Sequence, residues 1–342
     1  MLCAKHVRPL LELLLNRLTS HLGTTTTTDT NSAEDDGTTS QDPVYQLMYG
    51  IFSNIISLDL SPSLLGTLRP PSSSKSILTP HQLSFLKILD GHIHSTSTSQ
   101  QPADAAEDPL AILPLNTTLH LCHILHTTSS RATDYLFGLR DATGDSLLTQ
   151  LQAQPRDATA PRDEVAPLDL EGLIVTLGVL AAIGESADTT VKEEISKQGT
   201  VGDLISLLRD LNLFQTRTKP SSDAAPNAAR TGAAKSPLFM LKSEVVTVLS
   251  NLCHECAVVQ DEIRERDAIP LILEQCNLDD ANPFLREHAI LLVRNLCTGN
   301  TANQDYIRSL EAQKVVVSED LLDTVGGRLQ IDAAGKVQLK RG

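Results

Sequence analysis

Apolar positions along this chain recur at helical spacing, and strand-like alternation is confined to its last residues. From Ser243, the residues Val245, Leu249, Leu252, Cys253 and Cys256 fall at i, i+4, i+7, i+8 and i+11, one stripe of an α-helix. From Pro283 the spacing returns with Leu285, Ala289, Leu292 and Leu296, and the Asn282-Pro283 pair predicts an N-cap followed by proline at the first helical position. The N-terminal run MLCAKHVRPLLELLLNRL is broken by Glu12 and closed by Arg17, so it reads as an amphipathic helix and poorly as a secretory leader. Near the other end, a helix is expected around Ser318 to Val325, with Gly326-Gly327 as its C-terminal stop. Leu329 and Ile331, then Val337 and Leu339, flank a turn-like Asp332 to Lys336 and predict one small hairpin.

Five stretches rich in Ser, Thr, Pro, Ala, Gly and Asp interrupt the helical pattern, at about 23–42, 69–80, 94–109, 152–167 and 216–237. They hold too little apolar surface to offset the entropy of ordering them, and are expected to be flexible insertions between helices.

Internal repetition organises the rest. SNLCHECAVVQDEIRERDAIPLIL from Ser250 superposes on RNLCTGNTANQDYIRSLEAQKVV from Arg294 with a shift of 44 residues. Asn251, Leu252 and Cys253 match Asn295, Leu296 and Cys297, while Gln260, Asp261, Ile263 and Arg264 match Gln304, Asp305, Ile307 and Arg308. A weaker copy, VKEEISKQGTVGDLISLL from Val191, aligns with a shift of 68; stretches from Leu119 and Tyr45 are fainter still. A period of roughly 40–47 residues built from two or three helices is that of armadillo and HEAT arrays. DAIPLIL, with proline opening a short helix, and NLC closing a long one favour the armadillo type. The expected fold is all-α, an armadillo-like α-solenoid with disordered insertions, its divergent part at 1–237 and its regular part, with the tail hairpin, at 238–342.

Composition narrows the function. Of 342 residues, 28 are basic and 42 acidic, a net charge of −14; aromatics are 3%, with no Trp. Nucleic-acid binding wants clustered cations and stacking platforms, so it is not expected. A membrane span needs about 20 consecutive apolar residues, whereas the longest uncharged apolar stretch runs from Leu173 to Ile183, so no membrane insertion is expected. Six dispersed cysteines point to free thiols in a reducing compartment, the cytoplasm. The charge favours partners with basic segments, with salt-sensitive association.

The run SEVVTVLSNLCHECAVVQDEIRERDAIPLILEQCNLDDANPFLREHAILLVRNLCTGNTANQDYI resembles the C-terminal domain of the ataxin-10 family. CNLDDANPFLREHAI between two NLC helices, followed by NQDYI, carries the resemblance, and the IDAAGKVQL ending is similar too. The resemblance spans about 100 residues from Leu238 onward. It implies an armadillo-like fold and a cytoplasmic, non-enzymatic role in protein interaction, linked to cytokinesis and signalling.

No catalytic motif is present: neither GxSxG, GxxxxGK[ST], HExxH nor GxGxxG after a strand occurs. No enzymatic activity and no cofactor are expected. Cys253-His-Glu-Cys256 has the CxxC spacing of redox pairs and half zinc sites, but no second ligand pair follows, and burial in the helix stripe is the simpler reading. His120, Cys122, His123 and His126 are the densest cluster of ligand types; at 100° per residue only adjacent members can share an ion. A metal-binding or redox protein, or a structural subunit of a larger assembly, are the alternatives to an adaptor. The adaptor reading puts the binding groove on the last helix of each repeat, at Asn251, His254, Glu255, His288, Arg294 and Asn295. Asn251 and Asn295 can either bind a partner or fix the repeat turns.

Overall fold

The computed structural model describes residues 8–17, 43–98 apart from 73 and 75, 113–138, 165–217, 237–277, 282, 284–310, 327–331 and 337–341. The helices among them are α1 (8–17), α2 (Pro43–Ser57), α3 (Ser61–Thr67), α4 (Pro80–Thr98), α5 (Leu115–Gly138), α6 (Val165–Ser186), α7 (Thr189–Lys197), α8 (Thr200–Arg217), α9 (Pro237–Cys253), α10 (Ala257–Glu265), α11 (Ile269–Glu274), α12 (Leu285–Cys297) and α13 (Thr301–Ser309). Two strands, β1 (Gly327–Ile331) and β2 (Val337–Arg341), pair antiparallel with Leu329 opposite Leu339 and Ile331 opposite Val337, the expected hairpin. The chain forms two compact units, Met1–Thr298 and Gly299–Gly342.

In the first unit the long helices α4, α6, α9 and α12 lie side by side in that order, with α5 and α8 behind them and the short α7 and α10 against one another. The core is aliphatic: Leu173, Leu177, Leu180, Val245, Leu249, Leu252, Leu292 and Leu296 are fully buried. Phe52 and Phe85 add one tilted aromatic pair, with ring centroids 5.9 Å apart. Three helices follow one another twice at related positions, as α7–α8–α9 and α10–α11–α12.

Equivalent positions of these units adopt equivalent backbone. Asp188, Cys256 and Asn300, related by the 68- and 44-residue shifts, are the N-caps of α7, α10 and α13. Asp188 and Asn300 accept the N–H groups of Val191 and Asn303, whereas Cys256 makes no such bond. Left-handed residues recur in the same register: Glu255 (φ 56°) with Gly299 (φ 73°), and Gly199 (φ 81°) with Asp267 (φ 51°).

Two expectations are corrected. The 69–80 stretch is not a loose insertion over its described part: the Asp169 carboxylate, buried on α6, accepts Ser76 Oγ at 2.7 Å and the N–H groups of Ile77 and Leu78, each at 3.1 Å. Leu78 then lies so close over Gly172 that a Cβ there would fall 2.1 Å from Leu78 Cδ1. Polar composition hid one buried acceptor able to order the segment. The second concerns α12, which starts at Leu285 and not at Pro283, with Phe284 at its N-cap; the Asn282 carbonyl accepts the Leu285 N–H. Of the other expected insertions, α4 extends through Thr98, α6 begins at Val165, α8 ends at Arg217 and α9 begins at Pro237. Their remainders, all of 23–42, and the helix expected near 318–325 lie outside the described residues; Gly327, expected at a helix end, opens β1.

Candidate functional site

The six groove candidates sit on α9, on α12 and on the turn after α9. Asn295 is 8% exposed, and its Nδ2 donates to the carbonyl and the hydroxyl of Ser250, both at 3.1 Å. Its placement in a groove is therefore corrected: the amide ties α12 to α9. Asn251, at the equivalent position, is half-buried and donates to Ala181 O at 3.0 Å, tying α9 to α6. Each amide thus adds a hydrogen bond between neighbouring helices, and Ser250 O accepts it beside the His254 N–H.

His254 and Glu255 are exposed on the turn between α9 and α10. The His254 carbonyl accepts the ammonium of Lys192, a cation 4% exposed at the C-terminal end of α9. His288 is half-buried with its Nδ1 2.9 Å from Thr247 Oγ1; because that hydroxyl proton is directed at Ser243 O, the imidazole Nδ1–H is the donor. The Arg294 side chain is exposed.

The ligand-type clusters disperse. His120 and His123 approach to a ring-centroid distance of 6.3 Å, with burial lowering the His120 pKa. His126 turns to Asp203, its Nδ1 3.0 Å from both carboxylate oxygens. Cys122 is buried, its thiol pushed up to about 11 by desolvation. Cys253 and Cys256 are both fully buried, and burial raises the Cys253 pKa strongly. Among the described residues no group of three or more His, Cys, Asp or Glu is placed to hold a metal ion. No helix among them is long and apolar enough to cross a membrane.

A different surface emerges around α6. Between Leu168 and Ser186 its side chains are buried except along one stripe, Glu171, Ile174, Val175, Gly178, Ala181, Ala182 and Glu185, at helical spacing. α4 and α9 flank this stripe. Asp90 on α4 overhangs it, its Oδ1 3.6 Å from where a Gly178 Cβ would stand. Glu244 on α9 lies within electrostatic reach of Asp90 and of His288. Both carboxyls are half-buried, and desolvation raises both pKa values, against smaller lowering contributions from His94 on Asp90 and from His288 on Glu244. Lys87 pairs with Glu171 at 2.6 Å at one end. Sequence reasoning missed these residues; the available signal was that Asp90 is the one acid of α4 and Glu244 the one acid of α9.

The described part of the first unit is thus all-helical, with bonds between helices recurring at positions related by the 44- and 68-residue shifts. Residues 241–340 match the family described as the spinocerebellar ataxia type 10 protein domain, and over this stretch the chain is similar to ataxin-10 proteins. It is 32% identical to the Ataxin-10 homolog of Debaryomyces hansenii over 169 residues, 49% of this chain and 33% of that protein. It is 35% identical to Ataxin-10 of Bos taurus over 34% of this chain and 24% of that protein, and 42% identical to Ataxin-10 of Homo sapiens over 25% and 18%. The matches therefore span a third or less of the length of these relatives. No solved structure matches the chain.

Proposed function

We propose that this chain is a non-enzymatic, cytoplasmic protein-interaction scaffold of the ataxin-10 type, built on an armadillo-like array and acting in cytokinesis or signalling through partners that carry basic segments. The observation that carries this reading is the reproduction of one inter-helix bond in successive units. Lys192 donates to His254 O, and Gln260, 68 residues on, donates to Thr298 O, itself 44 residues after His254. Such stacking yields a rigid surface on which exposed side chains are available for partners. The acidic balance and lack of Trp disfavour nucleic acid.

The test is affinity purification with the full chain, beside a variant carrying His288→Glu and Arg294→Glu. At least one specific partner is expected to be lost from the variant. Recovery of the same partners in the same amounts would remove α12 from the binding surface, and recovery of none by either protein would sink the scaffold reading.

A further inference from the structure

The partly exposed stripe of α6 is apolar in its middle and acidic around it. Ile174, Val175 and Gly178 form its floor, Glu171 stands at one end, and Asp90 and Glu244 stand on the flanking helices. Lys87 neutralises Glu171, but among the described residues no hydrogen bond or ion pair reaches the Glu244 carboxylate. Among the described residues the Asp90 carboxylate meets only exposed His94, its Nδ1 3.6 Å away. Two carboxylates are thus held half out of water without a strong cation, on a helix row where apolar residues would pack at lower cost. A row of small and β-branched side chains between them leaves room for an aliphatic stem.

We propose that this trough between α4 and α9, floored by α6, docks a partner segment bearing Lys or Arg, its methylene stem lying on Ile174, Val175 and Gly178 and its charged head reaching Asp90 and Glu244. The inference rests on the scaffold reading above and specifies where and what it binds. Long cationic side chains suit the trough because their stems are apolar and their ends charged. Charge complementarity selects the occupant: an acidic segment would meet uncompensated repulsion, and a wholly apolar one would leave both carboxylates desolvated and unpaired.

The experiment measures, by fluorescence anisotropy, binding of the full chain to a labelled peptide alternating Lys or Arg with Leu. The same peptide with Glu replacing every cation is the control. Wild type is compared with Asp90→Asn/Glu244→Gln, with Gly178→Leu, which fills the floor, and with Glu265→Gln, an exposed acid on α10. Far-UV circular dichroism and melting curves verify folding. The double variant is expected to bind the basic peptide about tenfold more weakly, or worse, and Gly178→Leu to weaken it without any charge change. Glu265→Gln and wild type should be alike, and the acidic peptide should not bind. Equal weakening by Glu265→Gln would reduce the effect to overall charge and overturn the trough, as would wild-type affinity in the double variant. If purified partners bind the double variant undiminished, the scaffold reading stands and the trough alone falls.

Discussion

The ammonium of Lys192, on α7, donates to the carbonyl oxygen of His254 at 3.0 Å, just beyond the C-terminal end of α9. A positive charge there meets the negative end of the helix dipole as well as an otherwise unmatched carbonyl. Gln260 does the same work one unit later with a neutral amide, reaching Cys253 O, Asn295 O and Thr298 O at 3.0, 2.9 and 3.3 Å. Lys192→Met keeps the stem and removes the donor, so it should destabilise the chain by about 1–3 kcal/mol. Gln260→Leu, which removes the donor shared by Asn295 O, Thr298 O and Cys253 O, the last of which also accepts the Cys256 N–H, should cost at least as much. Urea midpoints at constant m-value are the check, and a Lys192→Met midpoint equal to wild type would mean that water replaces the ammonium.

Glu255 ends the α9 turn at φ 56°, where a side chain is strained, while its counterpart Gly299 adopts φ 73° without that penalty. Glu255→Gly should therefore raise stability by about 0.5–1 kcal/mol, the relief of strain outweighing the greater freedom of glycine in the unfolded chain. Asp267→Gly, in register with Gly199, should behave alike. A lower melting temperature for Glu255→Gly would show that the attraction between Glu255 and Lys192 outweighs the strain.

Those turns explain what was legible beforehand. The 44-residue shift paired Asn251 with Asn295 from identity alone, and the structure gives the pair one job, an amide bond to a helix packed alongside. Periodicity located α9 and α12, whose apolar stripes are long, and alternation located the β1–β2 pair. What periodicity could not supply was long-range partnership. Asp169 meets Leu78 across 91 residues of sequence, so nothing local marked the 69–80 stretch as held. The α6 trough was equally hidden, because its floor residues Ile174, Val175 and Gly178 belong to an apolar run that reads as core on every side. Only the packing of α4 and α9 on either flank shows which stripe stays open.

Removing the Glu244 charge should stabilise the protein. Desolvation raises its pKa above the ordinary 4.5, so the folded chain holds this proton more tightly than the unfolded chain does. Between the two values the folded state carries more protons, so stability falls as pH rises through that window and the full penalty stands at neutral pH. Glu244→Gln should melt higher than wild type at pH 7, with the gap closing as pH falls toward 4.5. Asp90→Asn should follow the same course, closing nearer its ordinary 3.8. A Glu244→Gln advantage that persists unchanged at low pH would mean that packing, and not charge, is responsible.

The cysteines should divide by burial. Cys276 and Cys297 are half-buried, whereas Cys122, Cys253 and Cys256 are enclosed in the helix stack. Burial holds the Cys122 thiol at about 11 and pushes Cys253 up strongly, so both stay protonated and poorly nucleophilic at neutral pH. Iodoacetamide under native conditions, read by peptide mass mapping, should label Cys297 and Cys276 before Cys122, Cys253 and Cys256, which stay unmodified until the chain is unfolded. Native labelling of Cys253 or Cys256 at the rate of Cys297 would mean that the turn after α9 opens readily. That result would revive a redox role for the CxxC pair, which enclosure of both thiols argues against.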